Sequence, residues 1–421
     1  MEKISSLPGF RDFYPDLCAV RNYVFHNWRE TARTCAFTEY EIPVLEPTDL
    51  YRRKSGDEIV KQLFHFTDAG GREVALRPET TPSLARLAAA RQRDFRKPMK
   101  WFQIGACFRF EKPQKGRGRE FYQWNCDILG ENSPAADADL IATAILVMRR
   151  FGFTQADFRI RLSDRNVWSA FLASQNVSPD HTATFLQIID KLEREKEELT
   201  AERLAAIGTS LDAVRTFIAA KGADHPPLMA ILADLAARGL DSFVEIDLGI
   251  VRGLAYYTGV VFEIFDLNHG MRAVAGGGRY DNLCNLIGGT DLPAAGFAMG
   301  DMVIANLIRE TPHANALMES WLASQRQLDS FIVIADEARR PDALNLVQSL
   351  RAAGFSCDYS YQPAKVGKQF QTAEQLGARS AITVGSEFPS VKLKLLASRT
   401  ESSLDAATVV ISLTSALAGL H

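Results

Sequence analysis

Residues 107–130 read CFRFEKPQKGRGREFYQWNCDILG, and this stretch decides the fold. Apolar and polar residues alternate on both sides of a turn near Lys115–Gly118, which predicts two antiparallel strands joined as a hairpin. Side chains alternate between the two faces of a strand. The pattern therefore predicts one face of a sheet that carries an arginine, a glutamate, a glutamine and an aspartate: Arg109, Glu111, Gln123 and Asp127.

The basic residues of the turn, Lys112, Lys115, Arg117 and Arg119, allow two interpretations. A solvent-exposed sheet face explains them easily, and for one such stretch alone it is the simpler interpretation. It explains less well why large apolar residues crowd the other face while a mixed-charge group lies in mid-strand. Arginines that converge beside Phe121 suit a ligand that carries both phosphate and a base.

The composition limits the class of protein. With 421 residues, the chain is expected to form two or three domains. Its formal net charge of −3 means that any nucleic-acid contact must rest on local basic patches. Six cysteines without a CxxC and seven histidines without an HExxH argue against a protein-built zinc site or a disulfide framework. The first residues lack the apolar core of a signal peptide, so a reduced, soluble, cytoplasmic protein is expected.

The pattern along the chain separates three kinds of region. Residues 1–165 and roughly 240–310 mix helices with alternating strands, and residues 168–238 between them show the helical stripes of an insertion. After a helical connector, segments from FIVIA to VKLKLL alternate β-α-β-α-β, which is typical of a small α/β domain. The sequence therefore predicts an α+β domain with a helical insertion, followed by an α/β domain.

Two further stretches contain unusual residues. Arg252 precedes adjacent tyrosines in VRGLAYYTGVVFEIF (251–265), and Gly276–Gly278 exclude side chains where a backbone or ligand comes close. Taken alone, the three glycines are more often a turn, and Arg252 is equally well explained by a structural pairing with Asp247 or Glu245. In ALRPETTPSLAR (75–86), Glu79, Thr80 and Thr81 precede a helix that Pro82 can start, and spacing alone favours a helix cap.

Together these stretches resemble the signature segments of histidyl-tRNA synthetase, a class II aminoacyl-tRNA synthetase. The similar segments are LRPETTPSLAR, FRFEKPQKGRGREFYQWNCDI, RGLAYYTGVVFE and AGGGRYDNL. YEIPVLEPTDLYRRKSGDEI (40–59), with Pro43, resembles the class II dimer-interface motif, and LPGFRDFYPD resembles the start of the family's chains. The tail through AKVGKQFQTAEQLGARSAITVG (364–385) resembles the anticodon-binding domain, so the resemblance covers nearly the whole chain.

The resemblance implies the fold and its domain bounds. The expected architecture is a class II antiparallel-sheet catalytic domain with a helical insertion, plus a C-terminal α/β anticodon-binding domain. The expected bounds are 1–167 and 239–311 for the two parts of the catalytic domain, 168–238 for the insertion, 312–328 for a connector and 329–421 for the anticodon-binding domain. A homodimer is also implied.

The resemblance implies the reaction as well. Histidine and ATP would form histidyl-adenylate, Mg²⁺ would arrive with the ATP phosphates, and tRNA(His) would then accept the histidyl group. Arg109 and Arg252 would be the catalytic cations, and ATP would bind to Arg109, Glu111, Arg117 and Phe121. Histidine would bind to Glu79, Thr80, Thr81, Arg109, Gln123, Asp127, Arg252, Tyr256 and Tyr257, with Asp127 and Tyr257 on the ring nitrogens.

The sequence departs from the family pattern in motif 3. The matching stretch AAGFAMGDMVIANL (294–307) has Met302 and Val303 where the family usually has Glu-Arg. Arg279 or the arginines of the hairpin, which resembles the class II motif 2, are candidates for the missing charge. Ala255 stands where an acidic residue usually precedes the tyrosines, and Asp127 is shorter than the usual glutamate.

Two other functional classes compete with the synthetase. A non-charging paralogue, such as the regulatory subunit of ATP phosphoribosyltransferase, would bind histidine but would need no anticodon-binding domain. A pure RNA-binding module would leave the polar residues of the hairpin strands unexplained, and the net charge of −3 gives it no support. The intact arginines and the C-terminal domain favour the synthetase.

Overall fold

The structure, a computed structural model, describes residues 4–55, 61–112, 114, 116–192, 195–222, 225–252, 256–271, 273–325 and 328–418. Contacts between residues divide the chain into two units, Met1–Met318 and Glu319–His421. Each unit has its own sheet and its own buried core.

The first unit is built on a large sheet. Its described strands are β1 Thr38–Glu39, β2 Leu45–Pro47, β3 His65–Thr67, β4 Glu73–Leu76, β5 Met99–Phe108, β6 Glu120–Leu129, β7 Phe158–Asp164, β8 Val244–Ile246, β9 Val260–Asp266, β10 Ala275–Arg279 and β11 Ala294–Gly300. Eight of them form one sheet in the order β1-β5-β6-β11-β10-β9-β7-β8, and β2-β4-β3 form a smaller one. The neighbours from β5 to β7 are antiparallel, whereas the edge strands β1 and β8 pair in parallel. The predicted antiparallel sheet is confirmed.

The quoted hairpin lies within this sheet. β5 and β6 pair along their whole length, with Gly105 opposite Gln123 and Trp101 opposite Asp127. The connecting residues are closed by a bridge between Gln114 and Arg117, which confirms the predicted turn, although Lys115 lies outside the described residues. Because side chains alternate along β6, every second residue from Phe121 to Asp127 faces the same side of the sheet.

Helices pack against both faces of the large sheet. The described helices of the first unit are α1 Pro15–Thr34, α2 Thr48–Ser55, α3 Thr81–Arg91, α4 Pro134–Arg150, α5 Arg165–Ser174, α6 Thr182–Ile189, α7 Glu197–Ala206, α8 Leu211–Ala219, α9 Pro226–Ala237, α10 Leu283–Gly288 and α11 Asp301–Glu310. Trp28 of α1 stacks on Trp124 of β6 with ring centroids 6.1 Å apart, and both side chains are fully buried. Trp28 Nε1 also donates a hydrogen bond to Met299 Sδ at 3.3 Å. Burial of these rings fixes this face of β6 as core, and the polar side chains of Gln123 and Asp127 lie on the opposite face of the strand.

Helices α5 to α9 lie in sequence between β7 and β8, where a helical insertion is predicted. The helical stripes predicted for the insertion are buried or half-buried, with Phe185 and Ile188 of α6 and Val214 of α8 fully buried. Phe185 packs against Trp168 of α5 with ring centroids 5.1 Å apart. The insertion therefore has an aromatic core of its own.

The second unit has the predicted β-α-β-α-β order. After α12 Pro312–Gln325, which occupies most of the predicted connector, its described elements are β12 Leu328–Ile334, α13 Arg340–Ala352, β13 Cys357–Tyr359, α14 Val366–Gln375, β14 Ala378–Val384, β15 Ser390–Leu395, β16 Glu401–Asp405 and α15 Val409–Ala418. The strand order is β13-β12-β14-β15-β16, parallel in its first three strands and antiparallel in the rest. The strand β16 and the helix α15 are additions that the sequence pattern did not predict.

The sequence places three basic residues on or beside a helix of this unit as candidate contacts to RNA: Lys365, Lys368 and Arg379. Lys365 and Lys368 lie exposed at the start of α14, as expected. Arg379 lies on β14 and is wrong for that role, because its Nη2 donates to the carbonyl of Leu417 in α15 at 2.9 Å and its side chain is only 16% exposed. This arginine holds the last helix against the sheet. Throughout the described part of the chain, no helix combines the length and apolarity needed to cross a membrane.

Candidate active site

Two cavities open on the polar face of the large sheet and share part of their lining. The inner cavity has a volume of about 60 Å³ and is lined by Glu79, Thr81, Arg109, Gln123, Asn125, Asp127, Arg252, Tyr256, Tyr257, Gly276, Tyr280, Gly296, Phe297 and Ala298. The outer cavity, of about 310 Å³, is lined by Arg109, Glu111, Gly116, Arg117, Gly118, Phe121, Gln123, Arg252, Glu263, Ala273, Val274, Ala275, Gly276, Ala298, Gly300, Asp301, Met302 and Val303. Arg109 and Arg252 belong to both, so these two cations stand where the cavities meet.

Glycines on β10 and β11 make room for the charged groups. A Cβ atom on Gly276 would lie 1.4 Å from Nη1 of Arg252, and one on Gly296 would lie 1.9 Å from Oδ1 of Asp127. A Cβ on Gly277 would lie 2.3 Å from the carbonyl oxygen of Gly296 on the neighbouring strand. The predicted close approach at the three glycines is confirmed, and the alternative of a simple turn is wrong because they form most of a strand.

Asp127 lines the inner cavity and is buried. Its Oδ1 accepts a hydrogen bond from the Tyr280 hydroxyl at 2.6 Å, while its buried Oδ2 has no hydrogen-bond partner among the described residues. Burial raises the pKa of the Asp127 carboxyl to about 7, although the Tyr280 hydrogen bond opposes that rise. One carboxylate oxygen is therefore available for a hydrogen bond with a ligand in the cavity.

Sequence reasoning missed Tyr280 as a site residue. It stands two residues after the last glycine in GGGRY, and the only signal in the sequence was its place beside a segment already selected. Burial, and then the charge of Asp127, raise the pKa of Tyr280, so its hydroxyl stays protonated and donates. Tyr280 thereby fixes the position of the Asp127 carboxylate.

The side of the inner cavity near α3 is formed by Glu79, Thr81 and Tyr256. The Tyr256 hydroxyl donates to Glu79 Oε2 at 3.0 Å, so the two residues form one unit. Thr80 does not join them: in the described structure it is fully buried and lines neither cavity. The expected contact of Thr80 with a ligand is therefore wrong, and no side-chain hydrogen bond from it caps α3 either.

Arg109 and Phe121 form one wall of the outer cavity. Arg109 Nε donates to the carbonyl of Pro78 at 3.0 Å, and its guanidinium carbon stands 5.2 Å from the centre of the Phe121 ring. Glu111 and Arg117, from the turn of the hairpin, form an ion pair at the same cavity. The structure thus brings together the arginines, the glutamate and the aromatic ring that the hairpin sequence predicts.

Arg252 has a strained backbone and a paired side chain. Its φ of +50° lies in the left-handed region, which residues other than glycine rarely adopt. Its Nη1 lies 3.0 Å from Glu263 Oε1. The alternative partners suggested by spacing are wrong, because Asp247 and Glu245 pair with Arg161 at 3.3 and 3.7 Å. Gly253 and Ala255, which the sequence also singled out, lie outside the described residues.

Met302 and Val303 of motif 3 line the outer cavity. Arg279, one candidate for the missing charge, is wrong for that role. It is buried on the opposite side of β10 with its Nη2 2.6 Å from Asp137, and in the described structure it lines neither cavity. Arg109 and Arg117 of the hairpin remain as cations in the outer cavity, together with Arg252. This set of charges beside an aromatic ring suits a polyphosphate that carries a base.

Comparison with known proteins gives a family for both units. A family model described as histidyl-tRNA synthetase matches residues 9–302, and one described as an anticodon binding domain matches residues 329–414. A histidine--tRNA ligase of Opitutus terrae is 43% identical over 426 residues, which cover 96% of this chain and 96% of that protein. The chloroplastic/mitochondrial histidine--tRNA ligase of Arabidopsis thaliana is 35% identical, covering 93% of this chain and 82% of the relative.

Among solved structures, the histidyl-tRNA synthetase of Nostoc sp. PCC 7120 has a TM-score of 0.76 at 23% identity and covers 98% of this chain and 99% of its own. At that identity the likeness concerns the fold, and it agrees with the large antiparallel sheet and the second α/β unit described above. The two units are a class II synthetase catalytic domain and an anticodon-binding domain. With a family model over residues 9–302 and a relative 43% identical along nearly its whole length, the chain belongs to the histidyl-tRNA synthetase family.

Proposed function

We propose that this chain activates L-histidine with ATP to histidyl-adenylate and transfers the histidyl group to the 3′ end of tRNA(His). Membership of the family and the names of the relatives support this function. The observation that carries it is the meeting of two cavities at Arg109 and Arg252. The reaction joins an amino-acid carboxylate to the α-phosphorus of ATP, so it needs two binding sites that share one cationic boundary.

In this proposal the inner cavity binds histidine. A neutral imidazole has one N–H donor and one acceptor nitrogen. The Oδ2 atom of Asp127, which has no partner among the described residues, accepts from the ring N–H, and the Tyr257 hydroxyl serves the other nitrogen. The α-ammonium group lies against acceptors on the opposite wall of the cavity: Glu79, Thr81 and Gln123.

The outer cavity binds ATP. Phe121 stacks on the adenine, Glu111 reads its amino group, Arg117 holds the γ-phosphate and Arg109 holds the α-phosphate. Glu111 and Arg117 pair with each other in this structure, so ATP replaces their ion pair by two contacts of its own. Mg²⁺ enters with the phosphates as part of the substrate, since the described residues contain no cluster of three metal-binding side chains.

The chemical step depends on position and charge. The histidine carboxylate attacks the α-phosphorus, pyrophosphate leaves, and negative charge develops on the phosphoryl oxygens between Arg109 and Arg252. Two guanidinium groups that are already in place stabilise this charge without reorganising. The terminal adenosine of tRNA(His) then accepts the histidyl group from the adenylate.

The proposal includes a subtype with an altered motif 3. Met302 and Val303 line the outer cavity where the family usually has a glutamate and an arginine. Gly116 lies next to them, because a Cβ there would be 3.5 Å from Val303 Cγ2. Arg117 follows Gly116 directly and also lines this cavity, so it is the cation we expect to replace the motif 3 arginine.

The main alternative is a histidine-binding paralogue that charges no tRNA. The match of residues 329–414 to an anticodon binding domain argues against it, because a regulatory subunit has no use for one. Two predictions from the sequence stay predictions within this proposal, namely the domain bounds given above and a location in the cytoplasm. Because the insertion lies between two catalytic segments of the chain, we also expect it to contact the acceptor stem of tRNA.

The role of Arg252 tests the proposed function directly. The wild-type protein should catalyse histidine-dependent ATP–pyrophosphate exchange and charge tRNA(His). Arg252→His should lower the exchange rate by about 100–1000-fold, because it removes a fixed cation from the developing charge. Arg252→Lys should restore only part of the rate, since a point charge cannot form a bidentate fork. Thermal unfolding and tRNA affinity should stay near wild type, and exchange within a few-fold of wild type would refute the assignment.

Asp127 should make stability depend on pH. Its folded pKa of about 7 lies above the usual unfolded value of about 3.9, so burial of the carboxyl costs stability progressively as pH rises through this interval. Asp127→Asn carries no such cost. Asp127→Asn should therefore have a higher free energy of unfolding than wild type. This difference between the two proteins should be about 2 kcal/mol larger at pH 8 than at pH 5.5. Chemical denaturation without histidine measures it, and equal gains at both pH values would mean an ordinary pKa.

A homodimer is the expected assembly. Apolar side chains are exposed on and beside the small sheet: Val44 and Leu45 of the dimer-interface motif by 41% each, and Phe66 of β3 by 50%. Sedimentation at assay concentration should give a dimer, and Phe66→Asp should shift it to a monomer. Ile411→Asp is the control, because Ile411 is 71% exposed in the second unit and should leave the assembly unchanged. An active wild-type monomer would contradict the proposal.

The second unit should read the anticodon stem-loop. Deleting residues 329–421 should reduce tRNA charging strongly while leaving histidine-dependent exchange largely intact, because both cavities lie in the first unit. In the full chain, Lys365→Gln with Lys368→Gln should weaken tRNA binding and reduce its salt dependence, since each phosphate contact releases a counterion. Equal loss of charging and exchange in a folded truncation would argue against a separate tRNA role.

A further inference from the structure

We propose that the segment Pro8–Phe13 positions the ATP-binding strand β6, and that the ion pair between Arg11 and Asp301 is its key contact. The inference rests on the proposed function, because it assigns ATP to the outer cavity. Pro8–Phe13 precedes α1 and supplies none of the lining of the inner or outer cavity in the described structure. Its effect on the reaction must therefore pass through the residues it holds.

Asp301 is the point where three parts of the fold meet. It is 3% exposed at the first position of α11, directly after β11. Its Oδ2 accepts from Arg11 Nη2 at 2.8 Å, and its Oδ1 accepts from the backbone N–H of Tyr122 at 2.9 Å. Tyr122 lies between Phe121 and Gln123, which both line the outer cavity.

The hydrogen bond from Tyr122 to Asp301 extends the pairing of β6 and β11 by one step beyond their last pair of backbone partners. β11 and β6 pair as far as Gly300 and Gln123, and the chain of β11 then turns into α11. The next N–H of β6 would face no strand, and the Asp301 carboxylate accepts its hydrogen bond instead. A charged acceptor of this kind is worth more than a neutral one, provided that its own charge is compensated. Arg11 supplies the compensating charge.

The same segment holds the return arm of the hairpin at a second place. The carbonyl of Gly9 accepts from the N–H groups of Arg119 at 2.9 Å and Glu120 at 3.2 Å. Gly9 has a φ of +88°, and a Cβ there would lie 2.8 Å from Arg119 Cγ, so only glycine fits this approach. Backbone contacts therefore run from Gly9 to the first residue of β6.

Aromatic packing supports β6 from the face opposite the cavities. Phe13 meets the Tyr122 ring edge-on with centroids 6.2 Å apart, and the Arg11 guanidinium carbon lies 4.9 Å from the centre of the Phe13 ring. Arg21 of α1 stands 4.8 Å from Phe13 and 5.4 Å from Tyr122. Pro8–Phe13 thus holds the end of β6 at which Phe121 would contact adenine, whereas Asp127 lies near the other end of the strand. We therefore expect a larger effect on the binding of ATP than on the binding of histidine.

The test uses the full chain with the variants Arg11→Gln, Arg11→Lys and Asp301→Asn. Arg11→Gln should raise the KM for ATP in pyrophosphate exchange about tenfold, as expected for loss of a charged hydrogen bond, and change the KM for histidine less than about twofold. Arg11→Lys should recover much of the loss because it keeps the ion pair. Asp301→Asn should match Arg11→Gln, and the double variant should be no worse than either single one, since both remove the same interaction.

The control is Arg309→Gln. Arg309 is exposed two turns along α11 and lines the same surface cleft as Arg11, so the variant removes a neighbouring charge and should leave both KM values unchanged. ATP affinity measured by calorimetry gives a second readout that needs no turnover. A wild-type protein without exchange would refute the proposed function, whereas weaker ATP binding in Arg11→Gln would still support this inference. Equal rises in both KM values, additive effects in the double variant, or unchanged ATP affinity would overturn it.

Discussion

The guanidinium of Arg252 lies against the backbone of Gly276, where a Cβ would stand 1.4 Å from Nη1. That approach places a cation at the boundary of the two cavities, and the backbone of Arg252 has a φ of +50° there. Such a conformation costs on the order of 1–3 kcal/mol and persists because its surroundings fix it. The surroundings here are Glu263 on β9 and the ring of Tyr257, and the other groups of the site are arranged around this charge.

A sheet with one apolar face makes such an arrangement rigid. Trp28 and Trp124 are fully buried behind β6, so the strand cannot shift by one residue without exposing large rings to water. The polar side chains on the other face of β6, such as Gln123 and Asp127, are consequently held in place by the packing of the apolar side chains behind the strand. Preorganised polar groups of this kind stabilise developing charge without moving during the reaction.

The hairpin and the face on which Arg109 and Asp127 lie were predictable, because strand alternation is a local property of the sequence. The contacts that complete the site were not. Tyr280 and Asp127 are 153 residues apart, and Arg11 and Asp301 are 290 apart, so only the folded topology brings them together. The predicted ligand contact of Thr80 was wrong because neighbouring residues at the start of α3 point in different directions. Thr81 faces the inner cavity, whereas the side chain of Thr80 is buried in the core. The ligand-binding roles predicted for Arg279 and Arg379 were wrong because sequence spacing does not reveal which carboxylate or carbonyl an arginine will bind in the folded protein.

In the proposed function, the shared boundary of the cavities links the binding of the two small substrates thermodynamically. Nη1 of Arg252 is paired with Glu263, so an anion that binds at Nη1 competes with this carboxylate, and a second anion at the same guanidinium meets less competition. Linkage is reciprocal, so whatever factor histidine gains from bound ATP, ATP gains equally from bound histidine. A single molecule that fills both cavities competes with Glu263 once and loses its translational freedom once. It should therefore bind far more tightly than the separate affinities of its two halves suggest.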